Sequence, residues 1–418
     1  MLISLVIPTR ERATYLKESL RTATAIEDSE IEIVVSDNCS SDNTQQVVES
    51  FNDHRLRYVN TGARVSMRQN FEFALTHSKG DYVAYVGDDD GFLPQQFRSL
   101  RALVERHTPD VVSWKPLTYG WPIPGFGKRV GGVRFERSRI YGQPRIMDLE
   151  RASRCLRNAD HSGLGGIPAI YHGCASRQFL DSIRTAHGAT FGGRIPDYYI
   201  SYYAILSRAS CLYSHHPFTV NGYSPASTGN AHHAYAANDK RARPAVQFGN
   251  EASTDPVQDV VEGYVPTIPL NFFSTYETVC THLGSDAAQT NYESWYRYVL
   301  RETNRADKAT YDTVVSILST YAEKSRTTKQ FQAAVNLNNQ PTGLRTEKVG
   351  KAFRKLSSVI QSIKCSAERD GKNTVYTAAQ LIDDLLSTEI QSVLNSETKS
   401  MLAWPRLVLR GFRRSLHL

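Results

Sequence analysis

Three consecutive aspartates, Asp88, Asp89 and Asp90, follow a hydrophobic stretch at residues 82–86. Neighbouring carboxylates repel one another, so a positive partner nearby would lower the energy of the triplet. Divalent cations such as Mg²⁺ prefer oxygen ligands and are often held by a few protein carboxylates together with phosphate oxygens and water. Asp and Gly are also common turn residues, so a solvated turn explains the same letters. The triplet alone leaves a cation site and a turn both open.

The elements that must position this triplet alternate along the first 115 residues. Short apolar runs predict strands at residues 2–8, 31–38, 56–60, 81–87 and 110–114. Amphipathic segments between them predict helices, for example "ERATYLKESLRTATA", where Leu16 and Leu20 stand one turn apart. This alternation predicts an α/β domain with a central, mostly parallel sheet, in which ligands bind beyond the carboxyl ends of the strands. The polar motifs "PTR", "SDN" and "GDDD" all stand at those ends.

The rest of the chain divides by composition into three further segments. Residues 116–250 are rich in glycine, proline, tyrosine and histidine, which is typical of binding loops around short strands. Residues 251–400 have few glycines and helical periodicity, and predict a mainly α-helical C-terminal domain. Residues 401–418 interleave aromatic and aliphatic side chains with four arginines. That pattern fits a helix on an anionic membrane surface, or a helix packed on its own domain.

Composition narrows the possible partners and compartment. The chain of 418 residues has a net charge of +7 and a pI near 9.0, which favours an anionic partner of some kind. Its six cysteines are scattered without a CxxC pair, which argues against a zinc knuckle or a disulfide framework. The N-terminal "MLISLVIPTR" lacks the pattern of a signal peptide, and no apolar stretch is long enough to span a membrane. We therefore expect a cytoplasmic protein, with the basic tail as its contact to the inner face of the membrane.

Three motifs together resemble the family-2 glycosyltransferases. They are "VIPTRER" at the first strand end, "IVVSDNCSSDNT" at the second and "KGDYVAYVGDDDGFLP" at the fourth, in that order. The resemblance covers the first 115 residues well and the next 125 loosely, and it does not extend to the C-terminal third. It implies the nucleotide-sugar-binding GT-A fold, with residues 1–115 as the donor half of the domain and residues 116–250 as the acceptor half.

The resemblance also implies that the aspartate triplet is the family's metal-binding motif, with Mn²⁺ or Mg²⁺ as the cofactor. Counting back from Pro94 assigns the cation to Asp89, with Asp88 nearer the ribose and Asp90 in support. Counting the triplet as Asp-X-Asp assigns it to Asp88 and Asp90 instead. A histidine from the "SPASTGNAHHAY" segment, His232 or its neighbour His233, would complete the metal shell as in some relatives.

The resemblance places the other contacts with the nucleotide-sugar donor near the ends of the first two strands and in the third helix. Asp37 matches the position that hydrogen-bonds the nucleobase, and its alternative role is a cap or turn at the following helix. The remaining predicted nucleotide-sugar contacts are Pro8, Thr9, Arg10, Arg68 and Asn70.

Asp197 is the predicted catalytic base. The family places a carboxylate at the start of a helix on the acceptor side, and Asp197 follows Pro196 at the start of the apolar segment "DYYISYYAIL". A carboxylate in this position can equally serve only to stabilise the helix N-terminus. The two roles are compatible, because a helix N-terminus also fixes the direction of the side chain.

These assignments predict a metal-dependent, inverting glycosyltransferase that moves a sugar from a nucleotide diphosphate sugar to a glycan or lipid-linked glycan. Its expected setting is bacterial surface-polysaccharide synthesis. One alternative is a nucleotidyltransferase, although "PTRERAT" lacks the glycines that such an enzyme needs after its first strand. The other alternative is a non-catalytic carbohydrate-binding protein on the same fold. No nucleic-acid-binding module, P-loop or complete GxGxxG motif is present.

Overall fold

The computed structural model describes residues 1–123, 130–136, 144–164, 166–225, 227, 243–284, 289–303, 308–339 and 362–386. The strands in these ranges are β1 (Ile3–Thr9), β2 (Ile31–Asp37), β3 (Leu56–Asn60), β4 (Tyr82–Tyr85), β5 (Gly91–Phe92), β6 (Val111–Trp114), β7 (Leu117–Gly120), β8 (Gly132–Glu136), β9 (Arg145–Ile146), β10 (Gly173–Ser176), β11 (Cys211–Ser214), β12 (Thr219–Tyr223) and β13 (Ser362–Ser366). The helices are α1 (Ala13–Thr24), α2 (Thr44–Glu49), α3 (Met67–Thr76), α4 (Phe97–His107), α5 (Leu149–Arg157), α6 (Arg177–His187), α7 (Pro196–Ser207), α8 (Arg243–Ser253), α9 (Ile268–His282), α10 (Tyr292–Glu302), α11 (Lys308–Lys324), α12 (Thr328–Asn339) and α13 (Val375–Leu386).

An eight-stranded sheet in the order β3-β2-β1-β4-β10-β6-β11-β9 forms the centre of the N-terminal part. β1 runs parallel to β2 and β4, β2 runs parallel to β3, and β6 runs parallel to β11. The strand β10 is antiparallel to both of its neighbours, and so is β9 to β11. The predicted α/β fold with a mostly parallel central sheet is therefore confirmed, and all five strands predicted from the first 115 residues are present.

The alternating burial of β1 explains why its sequence is almost continuously apolar. Ile3, Leu5 and Ile7 pack on one face of the sheet in a cluster that includes residues of α1, while Val6 packs on the other face in a cluster that includes residues of α3. Successive side chains of a strand point to opposite faces, so covering both faces with helices requires apolar residues at nearly every position. The register pairs Thr9 with Asp37, which brings the ends of β1 and β2 together at one edge.

A second sheet, in the order β13-β8-β7-β12-β5, stands next to this edge. β5 begins directly after the aspartate triplet and pairs antiparallel with β12. The strand β13 comes from the segment that the sequence predicted to be a helical C-terminal domain, and it pairs antiparallel with β8. Helix α13 packs its apolar side chains on this sheet. Long-range strand pairing of this kind leaves no local pattern in the sequence, which is why the prediction lacked it.

The helices α9 to α12 confirm that the C-terminal region is mainly helical. Phe273, Tyr276 and Trp295 form the centre of their packing, and all three are fully buried. The same apolar cluster includes Tyr199 and Tyr202 of α7, so the helical region shares a core with the N-terminal sheet. In the described ranges, no helix combines the length and the apolar composition that crossing a bilayer requires.

Candidate active site

A cavity of about 680 Å³ lies at the carboxyl edge of the central sheet. Its wall combines the ends of β1, β2 and β4, the end of β12, the start of α7 and one side of α9. The predicted site residues that line it are Pro8, Thr9, Arg10, Arg68, Asn70, Asp88, Asp89, Asp90 and Asp197. A volume of this size is typical of pockets for small-molecule ligands. The structure thus brings the aspartate triplet and Asp197 to one cavity.

Asp88 is buried and has its charge balanced by nearby groups. Its Oδ2 accepts a hydrogen bond of 2.7 Å from Thr9 Oγ1, and its Oδ1 accepts one of 2.9 Å from Arg12 Nη1. Burial by itself would lower the pKa of Arg12, but attraction by Asp88 and Asp89 outweighs it and the pKa is raised. Arg12 therefore stays charged, and it fixes Asp88 against the end of β1.

Asp90 is held by four polar groups, three of which belong to later parts of the chain. Its Oδ2 accepts hydrogen bonds from Tyr171 Oη at 2.5 Å and from the Gly87 N–H at 2.8 Å, and its Oδ1 accepts one from the Gly222 N–H at 2.7 Å. The Nε2 of His172 lies 3.3 Å from Oδ2. Burial alone would raise the pKa of Asp90, but His172 and these hydrogen bonds together hold it below its usual range.

Asp89 is the member of the triplet whose charge is least compensated. Its side chain is 4% exposed, and its Oδ2 accepts a 2.5 Å hydrogen bond from Ser224 Oγ. Burial and repulsion by Asp90 and Asp88 raise the pKa of Asp89 to about 8, although Arg12 and Ser224 act in the opposite direction. A buried carboxylate with an unbalanced charge is a position that a cation would stabilise.

The side chains around Asp89 suit a hard divalent cation. The side chains around Asp89 present carboxylate oxygens, which Mg²⁺ and Mn²⁺ prefer over nitrogen or sulfur. Within the part of the chain that the structure describes, no group of three His, Cys, Asp or Glu side chains converges to hold a metal by itself. Mg²⁺ commonly keeps only one or two protein carboxylates and takes its other ligands from phosphate and water. His232 and His233 lie outside the described residues.

Three arginines in the cavity wall are paired with carboxylates spaced four residues apart. Arg10 Nη1 donates to both carboxylate oxygens of Glu251 at 2.7 Å. Arg68 Nε lies 2.9 and 2.8 Å from the two oxygens of Asp255, and Arg194 Nε lies 2.9 Å from an oxygen of Asp259. The sequence prediction included two of these arginines and none of the carboxylates. The spacing of Glu251, Asp255 and Asp259 was the available signal.

Two further predicted donor contacts have clear structural partners. Asn70 is buried in the cavity wall, where its Oδ1 accepts a 2.7 Å hydrogen bond from Ser36 Oγ at the end of β2. Pro8 lines the cavity at the end of β1. Both residues therefore shape the wall beside the triplet.

Asp37 is buried at the end of β2 and does not line the cavity. Its Oδ1 accepts hydrogen bonds from the backbone N–H and the hydroxyl of Ser40, at 3.0 and 2.6 Å. Its Oδ2 accepts hydrogen bonds from Tyr58 Oη at 2.7 Å and from Asn60 Nδ2 at 3.2 Å. The side chain is 1% exposed, and its neighbour Asn38 lines the cavity instead. A contact between Asp37 and a nucleobase would require one of these four hydrogen bonds to be exchanged.

Asp197 stands in the first turn of α7, where Pro196 occupies the first helical position. Proline is favoured there because its missing N–H would have no partner inside the helix. Burial among protein atoms raises the pKa of Asp197 to about 6, against the lowering effect of the backbone N–H groups of Asp197 and Tyr198. Near neutral pH the carboxylate is mostly ionised, and it can accept a proton from a ligand in the cavity.

Residues 4–158 match the model of the protein family "Glycosyl transferase family 2". Two curated relatives are similar in this region. The GalNAc(5)-diNAcBac-PP-undecaprenol beta-1,3-glucosyltransferase of Campylobacter jejuni is 30% identical over 101 residues, which is 23% of this chain and 33% of that protein. The poly(ribitol-phosphate) beta-N-acetylglucosaminyltransferase TarS of Staphylococcus aureus is 31% identical over 120 residues, which is 27% of this chain and 20% of that protein. The matches confirm the resemblance inferred from the three strand-end motifs.

The crystal structure of S. aureus TarS residues 1–349 with UDP-GlcNAc aligns with 80% of this chain and 90% of that chain, at 16% identity and a TM-score of 0.43. The chain matches about a third of the length of the Campylobacter protein and a fifth of the length of the staphylococcal protein in sequence.

Proposed function

We propose that this chain, whose residues 4–158 match the model of the family-2 glycosyltransferases, transfers a sugar from a nucleoside-diphosphate sugar to a hydroxyl group of a glycan or lipid-linked glycan. The transfer inverts the configuration of the anomeric carbon. The observation that carries the proposal is the pairing of two carboxylate centres in one cavity, because the triplet and Asp197 both line it and have different environments. Such a pair suits a reaction that must stabilise a leaving anion and remove a proton.

On the donor side, the chain's own residues would position the nucleoside diphosphate. Pro8, Thr9 and Arg10 at the end of β1 would line the nucleotide pocket, with Asp88 near the ribose. Asn70 and Arg68 of α3 would add further contacts to the donor, and Asp37 would support the nucleobase end of the pocket. Arg68 already has a carboxylate partner in Asp255, so an anionic ligand would compete with that partner for the guanidinium.

Asp89 would hold the divalent cation, Mn²⁺ or Mg²⁺, with Asp90 in support and His232 as a further candidate ligand. A bound cation would stabilise the negative charge that grows on the departing diphosphate. The residues present fit this cation because Asp88 and Asp90 are already paired, while the buried Asp89 has a raised pKa and lacks a positive partner that a bound cation would supply. Those two neighbours would keep Asp89 in position whether or not a ligand is bound.

Asp197 would act as the general base. It would take the proton from the acceptor hydroxyl as that oxygen attacks the anomeric carbon. The new bond joins the acceptor oxygen to the sugar, while the bond between the anomeric carbon and the phosphate oxygen breaks and its electron pair leaves with the nucleoside diphosphate. General base catalysis of this kind is typically worth about 10²- to 10⁴-fold in rate.

The acceptor is expected to be a bacterial surface polysaccharide or its precursor. The names of two relatives specify an undecaprenol-linked glycan and poly(ribitol phosphate) as their substrates. A lipid-linked acceptor would place the reaction at the cytoplasmic face of a membrane, with the basic segment 401–418 as the contact to anionic lipid. This segment lies outside the described residues.

The proposal is tested by incubating the full chain with a panel of UDP-, GDP- and dTDP-sugars and Mn²⁺ or Mg²⁺, with and without EDTA, and measuring released nucleoside diphosphate. We expect slow hydrolysis of one donor that requires the metal. Release that is insensitive to EDTA would remove the cation from the reaction. No release from any donor, together with no thermal shift on adding nucleoside diphosphates and metal, would contradict the glycosyltransferase proposal.

A further inference from the structure

The helical C-terminal region contributes a wall to the cavity that contains Asp197. Ile268, Asn271 and Phe272 of α9 all line this cavity. Their spacing of three and four residues places them on one face of the helix. These residues lie beyond residue 158, where the match to the family model ends. The part of the wall that they form therefore lies outside the region that matches the family model.

Two aromatic rings stack on each other at this wall. The ring of Tyr198, which follows Asp197 in α7, stacks on the ring of Phe272 with a centroid distance of 4.2 Å and an interplanar angle of 29°. Both side chains are only partly buried, and both line the cavity. Phe272 is supported from behind by His161, whose ring is 5.5 Å away and tilted by 30°. The arrangement offers a rigid apolar surface next to Asp197.

Asn271 provides a polar group beside these rings. Its side chain is 2% exposed, and among the described residues its Oδ1 has no hydrogen-bond partner. A buried amide oxygen without a partner costs free energy, so proteins rarely keep one without a reason. Asn70, on the donor side of the same cavity, has its amide oxygen satisfied by Ser36. Among the described residues of α9, Asn271 is the one with such an atom that also lines the cavity, so its oxygen is available to a ligand that donates a hydrogen bond.

We propose that Asn271, Phe272 and Tyr198 form a subsite for an uncharged sugar ring of the acceptor. This inference rests on the proposed function and names the part of the chain that recognises the acceptor. A pyranose ring has a face of C–H groups that can pack on the part of the Tyr198–Phe272 pair that lines the cavity, and an edge of hydroxyl or amide N–H groups that can donate to Asn271. Arg194, the cation of the cavity wall that is nearest in sequence to Asp197, is paired with Asp259, which favours a neutral sugar over an anionic group here.

The subsite is tested by saturation-transfer NMR on the full chain with a panel of methyl glycosides. The panel contains the α and β methyl glycosides of glucose, galactose, mannose, rhamnose, N-acetylglucosamine and N-acetylgalactosamine. We expect at least one glycoside to bind the unmodified chain. Asn271→Ala and Phe272→Leu should each weaken its binding roughly 3- to 10-fold, while the thermal shift produced by nucleoside diphosphate with Mn²⁺ stays unchanged.

Matched controls separate ligand binding from folding. Asn158→Ala changes an exposed asparagine, and Phe73→Leu changes a partly buried phenylalanine, both outside the cavity wall. Neither should alter glycoside binding. Asn271→Ala should also leave the unfolding temperature unchanged or higher, because it removes a buried oxygen that has no partner. An asparagine with a purely structural role would instead lose stability on truncation.

Two results would overturn the subsite. One is equal glycoside binding by the unmodified chain, Asn271→Ala and Phe272→Leu. The other is no saturation transfer to any glycoside of the panel. Neither result depends on turnover, so they are distinct from a failure of the proposed function, which would appear as absent nucleoside diphosphate release from every donor.

Discussion

Asp89 lies between two aspartates that already have partners. We therefore expect Asp89→Asn and Asp88→Asn to change the stability of the protein in opposite directions. Asp89→Asn removes a buried carboxyl group whose ionisation is opposed by burial and by its two neighbours, and it keeps an oxygen that can accept from Ser224. At pH 7 we expect it to raise the free energy of unfolding by roughly 1 to 3 kcal/mol, because folding requires Asp89 either to take up a proton or to carry an uncompensated buried charge. It should also abolish the thermal shift that Mn²⁺ with nucleoside diphosphate produces. Both effects are measured by thermal unfolding with and without these ligands.

Asp88→Asn is the matched comparison. It removes the charge that Arg12 Nη1 and Thr9 Oγ1 contact, so it should lower the unfolding temperature. Equal stabilisation by Asp88→Asn and Asp89→Asn would show that the pairing with Arg12 does not balance Asp88. Destabilisation by Asp89→Asn would show that its charge is already compensated in the free protein.

The raised pKa of Asp197 predicts a pH dependence for the transfer reaction. A general base works only when it is deprotonated, so kcat/KM should rise as the pH increases through about 6 and then level off. Asp197→Asn should lower turnover about 10²- to 10⁴-fold and remove this limb of the profile. The measurement is the pH profile of donor turnover with a saturating acceptor. A limb that persists at the same pH in Asp197→Asn would assign the titration to another group.

The sequence was sufficient to predict which residues meet at the carboxyl ends of the strands. Thr9 and the triplet follow hydrophobic strands directly, so their meeting at one edge follows from the parallel sheet. The saturation of Asp37 by Tyr58 and Asn60 was not visible in the sequence, because it depends on the register of β3 against β2. Asn271 looked like an ordinary helical residue, and only the fold shows that its oxygen has no partner.

At the scale of elements, the approach of β12 to the triplet depends on one glycine. A Cβ added at Gly222 would lie 1.7 Å from the backbone oxygen of Asp89 and 2.9 Å from Trp121 Nε1. The Gly222 N–H also donates to Asp90. Gly222→Ala should therefore force β12 away from the triplet and abolish metal-dependent nucleotide binding, which calorimetric titration of nucleoside diphosphate with Mn²⁺ would detect.

Gly193→Ala is the control for this substitution. An added Cβ at Gly193 would meet its nearest neighbour, Thr275, at 3.4 Å, which is ordinary van der Waals contact. It should leave nucleotide binding unchanged. Normal binding by Gly222→Ala would mean that the backbone of residues 89–90 moves freely, and that the close packing of β12 is not needed for the site.

The features that could not be predicted from the sequence all depend on contacts between residues far apart in the chain. Parallel strands such as β1 and β2 are buried on both faces and have a continuous apolar pattern, so they can be recognised locally. The pairing of β13 with β8 joins residues more than two hundred positions apart, so it depends on the tertiary fold and not on a local sequence pattern. The ion pairs between the carboxylates of residues 251–259 and Arg10, Arg68 and Arg194 likewise join distant parts of the chain, so the local sequence does not indicate them.

At the scale of the whole molecule, a single apolar cluster joins the central sheet to the helical region. Tyr85 of β4, Tyr199 of α7 and Trp295 of α10 belong to it. Changes in the helical region should therefore affect the stability of the fold that carries the active site. The most informative group there is Glu277 of α9, which is buried in this region at 3% exposure.

The environment of Glu277 predicts a pH dependence of stability. Burial raises the pKa of Glu277 to about 7 from the ordinary value of 4.5, even though hydrogen bonds from Tyr321 and Tyr292 lower it in part. Between these two pH values the folded chain retains a proton that the unfolded chain has lost, so stability falls as the pH rises through this window. The cost at pH 8 is at most roughly 3 to 4 kcal/mol, from about 1.4 kcal/mol per pKa unit.

Glu277→Gln should therefore be more stable than the unmodified chain at pH 8 and equally stable at pH 4. The amide keeps a hydrogen-bond acceptor for Tyr321 and has no charge to desolvate. Denaturant unfolding at a series of pH values measures the difference between the two proteins, in which the contributions of other titrating groups cancel. Glu323→Gln, an exposed glutamate on α11, is the control and should match the unmodified chain at each pH. A difference between Glu277→Gln and the unmodified chain that stays constant from pH 4 to pH 8 would contradict the prediction, because only an ionised Glu277 opposes folding.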